Sequence, residues 1–514
     1  MRSEPKLLAG ALAAVLAVVS LPAVGLPQSG PAREQVIVAA YPRDFRNLDP
    51  ARIPGSPDYQ IAMNVFNGLV RYKSSSLDVE PDLAERWTVS PDGKTYTFVL
   101  RRGVQFHHDY GEMTSADVKF SFDRILNPET KSPYRDSMQI IQSVDTPDKY
   151  TVRVVLNAPS SSFLAAVLAF RPGYIVSQRA VEQLGSKFSL NPIGTGAFQF
   201  ASYAPRQEIV LDANAHYFRG APAAKRIVWK IVPDDNTAAL ALRRGEINFM
   251  IVRDVQVYKD LQKDPSLAFT ATPAAGWWGF YMNTRRKPLS DVKVRRALAY
   301  ATDRETFVKA LLEGVGQPIY SILSPGMVGY TANIERYPFN PARAKALVAE
   351  AGYPNGFKIN VIHEESAYSS VIATAMQEWF KNIGVTLDDQ RLEAGAWTAR
   401  HQAGDYDINI DGITRFDPDQ ILTEEFHSVS FPPGSNYAYY GAIDALIEAQ
   451  RRALTTRERV QILAAIQRKV AEDVPVVPIV DPIYVTAYNR GQHGYGANTG
   501  HWMTRFEFVK FAVR

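Results

Sequence analysis

Residues 80–126 read EPDLAERWTVSPDGKTYTFVLRRGVQFHHDYGEMTSADVKFSFDRIL, and their local chemistry sets the terms for the rest of the chain. Ser90-Pro91-Asp92-Gly93 predicts a tight turn, because Pro fixes φ at the first central position and Gly tolerates positive φ. The strand that follows places Tyr96, Phe98 and Leu100 on one face and Thr95, Thr97 and Val99 on the other. Thr114-Ser115-Ala116-Asp117 predicts a capping box, with Thr114 as N-cap and Asp117 at the third helical position. Beyond it, Val118, Phe122 and Ile125 recur at i, i+4 and i+7, one apolar helix face.

Composition bounds what surrounds this block. The 514 residues are 46% hydrophobic and 11% aromatic, enough for about three domains of roughly 100–200 residues each. A net charge of +4 with no long basic run argues against a nucleic-acid partner. The absence of cysteine excludes disulfides, a lipid-bearing cysteine, thiolate catalysis and sulfur-ligated metals. Arg2 and Lys6 precede an apolar run from Leu7 to Val19, shorter than the ~20 residues of a membrane span, and small residues follow at Ala23-Val24-Gly25. Residues 1–25 therefore read as a signal peptide, and the mature protein is expected to be periplasmic.

Turn, strand, loop and capped helix in this order resemble the signature block of the family 5 extracellular solute-binding proteins, the dipeptide, oligopeptide and nickel receptors of ABC importers. The matching residues are Leu83-Ala84-Glu85-Arg86-Trp87, Asp92-Gly93, Gly103-Val104-Gln105-Phe106-His107 and Asp117-Val118-Lys119-Phe120-Ser121. His108-Asp109-Tyr110-Gly111 departs from the usual His-Asp-Gly by carrying extra residues. Further along, Asn191-Pro192-Ile193-Gly194-Thr195-Gly196 is similar to the family's Pro-x-Gly-Thr-Gly turn; it lacks the Gly-Lys-Ser/Thr of a phosphate loop and reads as a tight connection. Asn283-Thr284, Asp291 to Leu298 and Asp303-Arg304 continue the likeness, with Ser290 as the expected helix cap. Asn340-Pro341 predicts a helix start whose Ala344, Leu347, Val348 and Ala351 share one face, with Gly352 as its stop.

The resemblance implies an α/β, periplasmic binding protein-like fold (type II, cluster C), with two lobes around a ligand cleft and an extra domain. On that pattern residues 33–76, 190–282 and 481–514 form lobe I, 77–189 the additional domain II away from the cleft, and 283–480 lobe III. Such a protein is no enzyme: it captures a small solute by hinge closure and hands it to ABC permease subunits, as a monomer without cofactor or metal. Ligand-facing positions implied by the resemblance, or read from the loops that border the cleft, are Ser56, Tyr59, Trp277, Trp278, Trp397, Arg400, Arg415, Asp417 and Asn436. Peptide-binding relatives hold the α-ammonium with an acid shortly before the position of Pro418. Here the segment is about two residues shorter and Arg415 stands in the gap, which favours a ligand with an anionic group, such as an opine or sugar acid, over a dipeptide. Arg415 bracing its loop against Asp417 or Asp419 is the alternative. His363, His401 and His427 leave a nickel or metallophore receptor as a second reading, although their spacing is no ligand motif. An exported hydrolase is the third, against which stands the lack of Gly-x-Ser-x-Gly and His-Glu-x-x-His.

Overall fold

The computed structural model describes residues 35–53, 56–74, 76–495 and 504–512; the expected signal segment lies outside them. The opening block folds as its chemistry dictates. The Gly93 N–H donates to the Ser90 carbonyl at 2.8 Å, and the strand Thr95–Leu100 buries Tyr96, Phe98 and Leu100. The Asp117 carboxylate accepts from the Thr114 N–H at 3.0 Å and from its hydroxyl at 3.1 Å. The helix Ser115–Leu126 then buries Val118, Phe122 and Ile125.

Three sheets organise the described residues. A seven-stranded sheet runs Leu267–Pro273, Ile483–Asn489, Phe249–Val252, Val36–Tyr41, Arg226–Ile231, Glu208–Ala213, Phe198–Ala204. A six-stranded sheet runs Gln317–Pro318, Val476–Asp481, Gly276–Met282, Ile408–Thr414, Phe357–Glu364, Val385–Leu392. The signature strand sits in a four-stranded antiparallel sheet with Ala84–Val89, Thr151–Leu156 and Ile141–Asp148. The names lobe I, lobe III and domain II, which the resemblance implies, are used for the residues built on these sheets.

Several expectations shift. The lobe I boundary expected at residue 282 moves back, because Gly276–Met282 pairs with Ile408–Thr414 and Val476–Asp481 in the six-stranded sheet. The first helix spans Ser56–Val65, and Val70 opens a short strand. The helix Asp235–Arg243 is followed by the strand Phe249–Val252. Asp291, not Ser290, caps the helix Val292–Ala301, its carboxylate accepting from the Lys293 N–H at 2.8 Å. His107 and His108 lie in a short 3-10 turn instead of a strand, and each points a ring nitrogen at a backbone carbonyl: Gly196 at 2.9 Å and Phe200 at 3.0 Å.

The Gly194-Thr195-Gly196 turn shows why glycine is required there. A Cβ on Gly194 would stand 2.1 Å from the Val65 carbonyl oxygen, and one on Gly196 2.5 Å from that of Asn64. The Gly196 N–H donates to the Val65 carbonyl, so the turn locks onto the end of the first helix and leaves no nest for an anion.

Candidate functional site

A cavity of 370 Å³ opens where the three frames meet. Lobe I contributes Tyr59. Domain II contributes Tyr134, Phe170 and Arg171, and lobe III contributes Arg415, Phe416 and Glu424. The volume lies within the ~300–1,000 Å³ usual for small-molecule sites.

The aromatic walls hold one another. Tyr59 stacks on Tyr174 with centroids 5.7 Å apart and meets Phe170 edge-on at 5.3 Å, while Phe416 meets Phe170 edge-on at 5.6 Å and Tyr72 at 5.4 Å. Phe416 is thus the lobe III side chain that closes against lobe I and domain II. Arg171 lies with its guanidinium 5.2 Å from the Tyr59 ring centre and 4.8 Å from that of Phe170, a cation–π geometry, and hydrogen-bonds with the Tyr134 hydroxyl. Polar contacts fasten the same seam: the Ser162 hydroxyl donates to Asp419 at 2.9 Å, and the Ser161 hydroxyl to the Gln450 carbonyl at 2.8 Å. Domain II, expected away from the cleft, supplies one of its walls.

On the lobe III side Arg415 turns its fork onto Glu424, with Nε donating to Oε1 at 3.0 Å and the second nitrogen closing the bidentate pair. Burial works against the guanidinium charge, but Glu424 outweighs it and holds Arg415 above its ordinary pKa. Burial also pushes the Asp411 carboxyl up to about 7; the Gly412 N–H opposes this, and Glu364 adds to it. Glu425 is held well above the carboxylate range by burial, then by Glu424 and Asp411. Burial first, and the neighbouring acids second, thus raise two carboxyls beside one guanidinium.

Of the nine positions named from the sequence, Tyr59 and Arg415 line this cavity. The Ser56 side chain lies outside the described residues. Trp277 is fully buried in lobe III, its indole N–H donating to the Ile322 carbonyl at 3.0 Å. Trp278 stacks on Tyr368 at 5.5 Å and lies across Gly412, where a Cβ would stand 2.4 Å from its ring. Trp397, half-buried, donates to the Asn409 side chain at 2.9 Å and packs on His401 against the lobe III core. Arg400 braces the chain turn at Asp405, to which its side chain pairs at 3.0 Å. Asp417 is buried, caps the helix Pro418–Phe426 and pairs with Arg459 at 3.0 Å. Asn436 is fully buried and holds its own loop through His427 and Tyr440. The partner of Arg415 is Glu424, in place of the expected Asp417 or Asp419.

The three lobe III histidines have separate surroundings. His363 lies 3.3 Å from Asp389, His401 packs against Trp397, and His427 caps the N–H of Val429 at 3.1 Å. Among the described residues, no group of three or more His, Cys, Asp or Glu side chains has a metal-holding arrangement. Sequence reasoning missed Tyr134, Phe170, Arg171, Phe416 and Glu424. Arg171-Pro172-Gly173, a charged turn directly after the apolar run Phe163–Leu168, was the one local signal available.

The profile of the bacterial extracellular solute-binding proteins, family 5 (middle region), matches residues 78–429, more than half of the chain. The chain belongs to this family. It is 31% identical over 498 residues to di/tripeptide-binding protein 2 of Pseudomonas aeruginosa (strain UCBPP-PA14), covering 91% of this chain and 93% of that one. It is 30% identical over 461 residues to the dipeptide-binding protein of Escherichia coli (strain K12), covering 84% and 86%. Among solved structures, HbpA2 from Haemophilus parasuis superposes with a TM-score of 0.84 at 28% identity, covering 93% of this chain and all of that one. The periplasmic binding protein DppA from Helicobacter pylori, in complex with the peptide STSA, gives 0.79 at 28% identity, covering 93% and 98%. The α/β architecture is therefore the type II binding-protein fold, and the chain is a solute-binding protein of the kind that serves ABC importers.

Proposed function

We propose that this family 5 protein works in the periplasm, without catalysis, as a receptor that encloses a small solute bearing an anionic group in the cavity between lobe I, domain II and lobe III, and delivers it to an ABC permease. The cavity carries the reading. Its aromatic walls offer flat apolar surface, and its charged lining consists of Arg171, Arg415 and Glu424. Arg415 already forks onto Glu424, so it reaches a ligand only by exchanging that partner. Arg171, held across two rings at the opposite wall, is the side chain we assign to the solute's carboxylate. The similarity to peptide-binding relatives, and to a neighbour solved with mannopinic acid (TM-score 0.78, 26% identity), makes peptides and opines the first compounds to try.

The test is a melting-shift panel of dipeptides, glutathione and mannopinic acid, each carboxylic acid paired with its amide. Acids are expected to raise the melting temperature and amides to do so weakly. Arg171→Gln should lose binding by at least about thirty-fold, as when one side of a buried charge pair is truncated. A neutral sugar or amine bound equally well by wild type and Arg171→Gln would refute the anionic assignment while leaving the receptor reading intact.

A further inference from the structure

Among the described residues, lobe III joins lobe I through two short crossings. Ala274 and Ala275 link Leu267–Pro273 to Gly276–Met282, and Pro482 alone links Val476–Asp481 to Ile483–Asn489. The crossings touch. Pro273 pairs with Ile483 in antiparallel register, and the Ala274 N–H donates to the Pro482 carbonyl at 2.9 Å. Any rotation of one lobe against the other has to pass through these few residues.

Asp481 ends the second strand at this point. It is 2% exposed, and among the described residues its Oδ1 has no hydrogen-bond partner. The groups facing its carboxyl are the Ala274 N–H, the Ser324 hydroxyl, and the phenols of Tyr368 from the helix Ala367–Lys381 and Tyr484 from the strand beyond the crossing; none is cationic. The Ser324 hydroxyl also lies 2.8 Å from the Gly276 carbonyl, and its single proton serves one acceptor at a time. A buried carboxylate with an acceptor left open is unfavourable, whereas the protonated acid is tolerated.

We propose that Asp481 is a proton-controlled brake on the hinge: protonated, it stabilises the lobe arrangement seen here, and ionised, it favours a rotated crossing that admits water to Oδ1. Burial pushes the Asp481 carboxyl up to about 7, with the Ser324 hydroxyl and the Ala274 N–H pulling the other way, so the switch falls near neutral pH. A conformation that hydrates the carboxylate restores its ordinary, lower pKa and therefore gains population as pH rises. One proton supplies up to about a tenfold change in the ratio of the two arrangements per pH unit.

The experiment is small-angle X-ray scattering of the ligand-free protein between about pH 4 and 8.5, which spans the window from the ordinary carboxyl pKa to the raised one. The radius of gyration should rise as pH climbs toward about 7 and level off above it in the wild type, and stay at the compact value throughout in Asp481→Asn. Asp411→Asn separates the other carboxyl held near neutrality and should leave the rise in place. Ser324→Ala removes a donor that favours the ionised form, so its midpoint should move to higher pH; this variant keeps the test open if Asp481→Asn does not fold. A flat wild-type profile, the same rise in Asp481→Asn, a rise that disappears in Asp411→Asn, or an unmoved midpoint in Ser324→Ala would overturn the proposal. None of these readings needs a solute, so they stand or fall apart from the ligand assignment.

Discussion

The Arg415 fork closes on Glu424, nine residues further along, where a strand end meets the second turn of the following helix. A sequence shows that an arginine replaces an expected acid; it does not show which acid a later helix will turn toward it. Arg459 and Asp417, 42 residues apart, illustrate the same blindness: Asp417 was expected to face the ligand, and the fold buries it against Arg459. Their environments predict different sensitivities. Arg415→Gln leaves Glu424 at a partly solvated wall and should cost at most about 1 kcal/mol of stability. Arg459→Met leaves the Asp417 charge buried without its partner and should cost about 3–5 kcal/mol. Urea unfolding of the two variants checks the contrast, and equal losses would contradict it.

At the scale of elements, the signature block was legible because each of its signals is local: a turn residue, an alternating strand, a cap three residues from its partner. The helix at Asn340-Pro341 was legible for the same reason, with Asn340 accepting from the Arg343 N–H at 3.0 Å. The expected identities of the ligand-facing tryptophans did not survive equally well, because a strand residue's face depends on which sheet the strand joins. Gly276–Met282 joins lobe III, and that membership turns Trp277 inward. Trp397→Ala should therefore lower the stability of the ligand-free protein by about 2–3 kcal/mol through lost packing, read by urea unfolding, with solute affinity little changed. The contact between domain II and the Gly194–Gly196 turn makes a second prediction. His107 Nε2 donates to the Gly196 carbonyl, and its Nδ1 accepts from the Gly194 N–H at 3.4 Å, a pairing that only the neutral imidazole satisfies. Burial lowers its pKa to about 4. The unfolded chain takes up that proton below about 6.5 and the folded one does not, so stability should fall as pH drops from 6.5 toward 4. Replacing His107 with Asn should flatten this limb, as measured by urea midpoints across that range.

For the whole molecule, the binding-protein fold was readable from family resemblance, while the cavity was not, because its walls come from three segments that no local pattern connects. Tyr59, Arg171 and Phe416 are brought together only by the packing of lobe III against domain II. A solute that fills this space binds the folded chain alone, and at a hundredfold excess over its Kd it should add about 2.7 kcal/mol of stability. Melting curves taken with increasing solute should therefore keep climbing after the site saturates.

The paired crossings at Ala274 and Pro482 also dictate the kind of movement available. Two strands hydrogen-bonded side by side cannot twist independently, so they behave as a single torsion shaft and leave lobe III essentially one angular coordinate. Displacement along such a coordinate grows with the lever arm from the shaft. Phe416 follows Arg415, whose N–H donates to the Ala275 carbonyl at 3.2 Å, so the contact that closes on Phe170 lies beside the shaft, where a few degrees of rotation move it little.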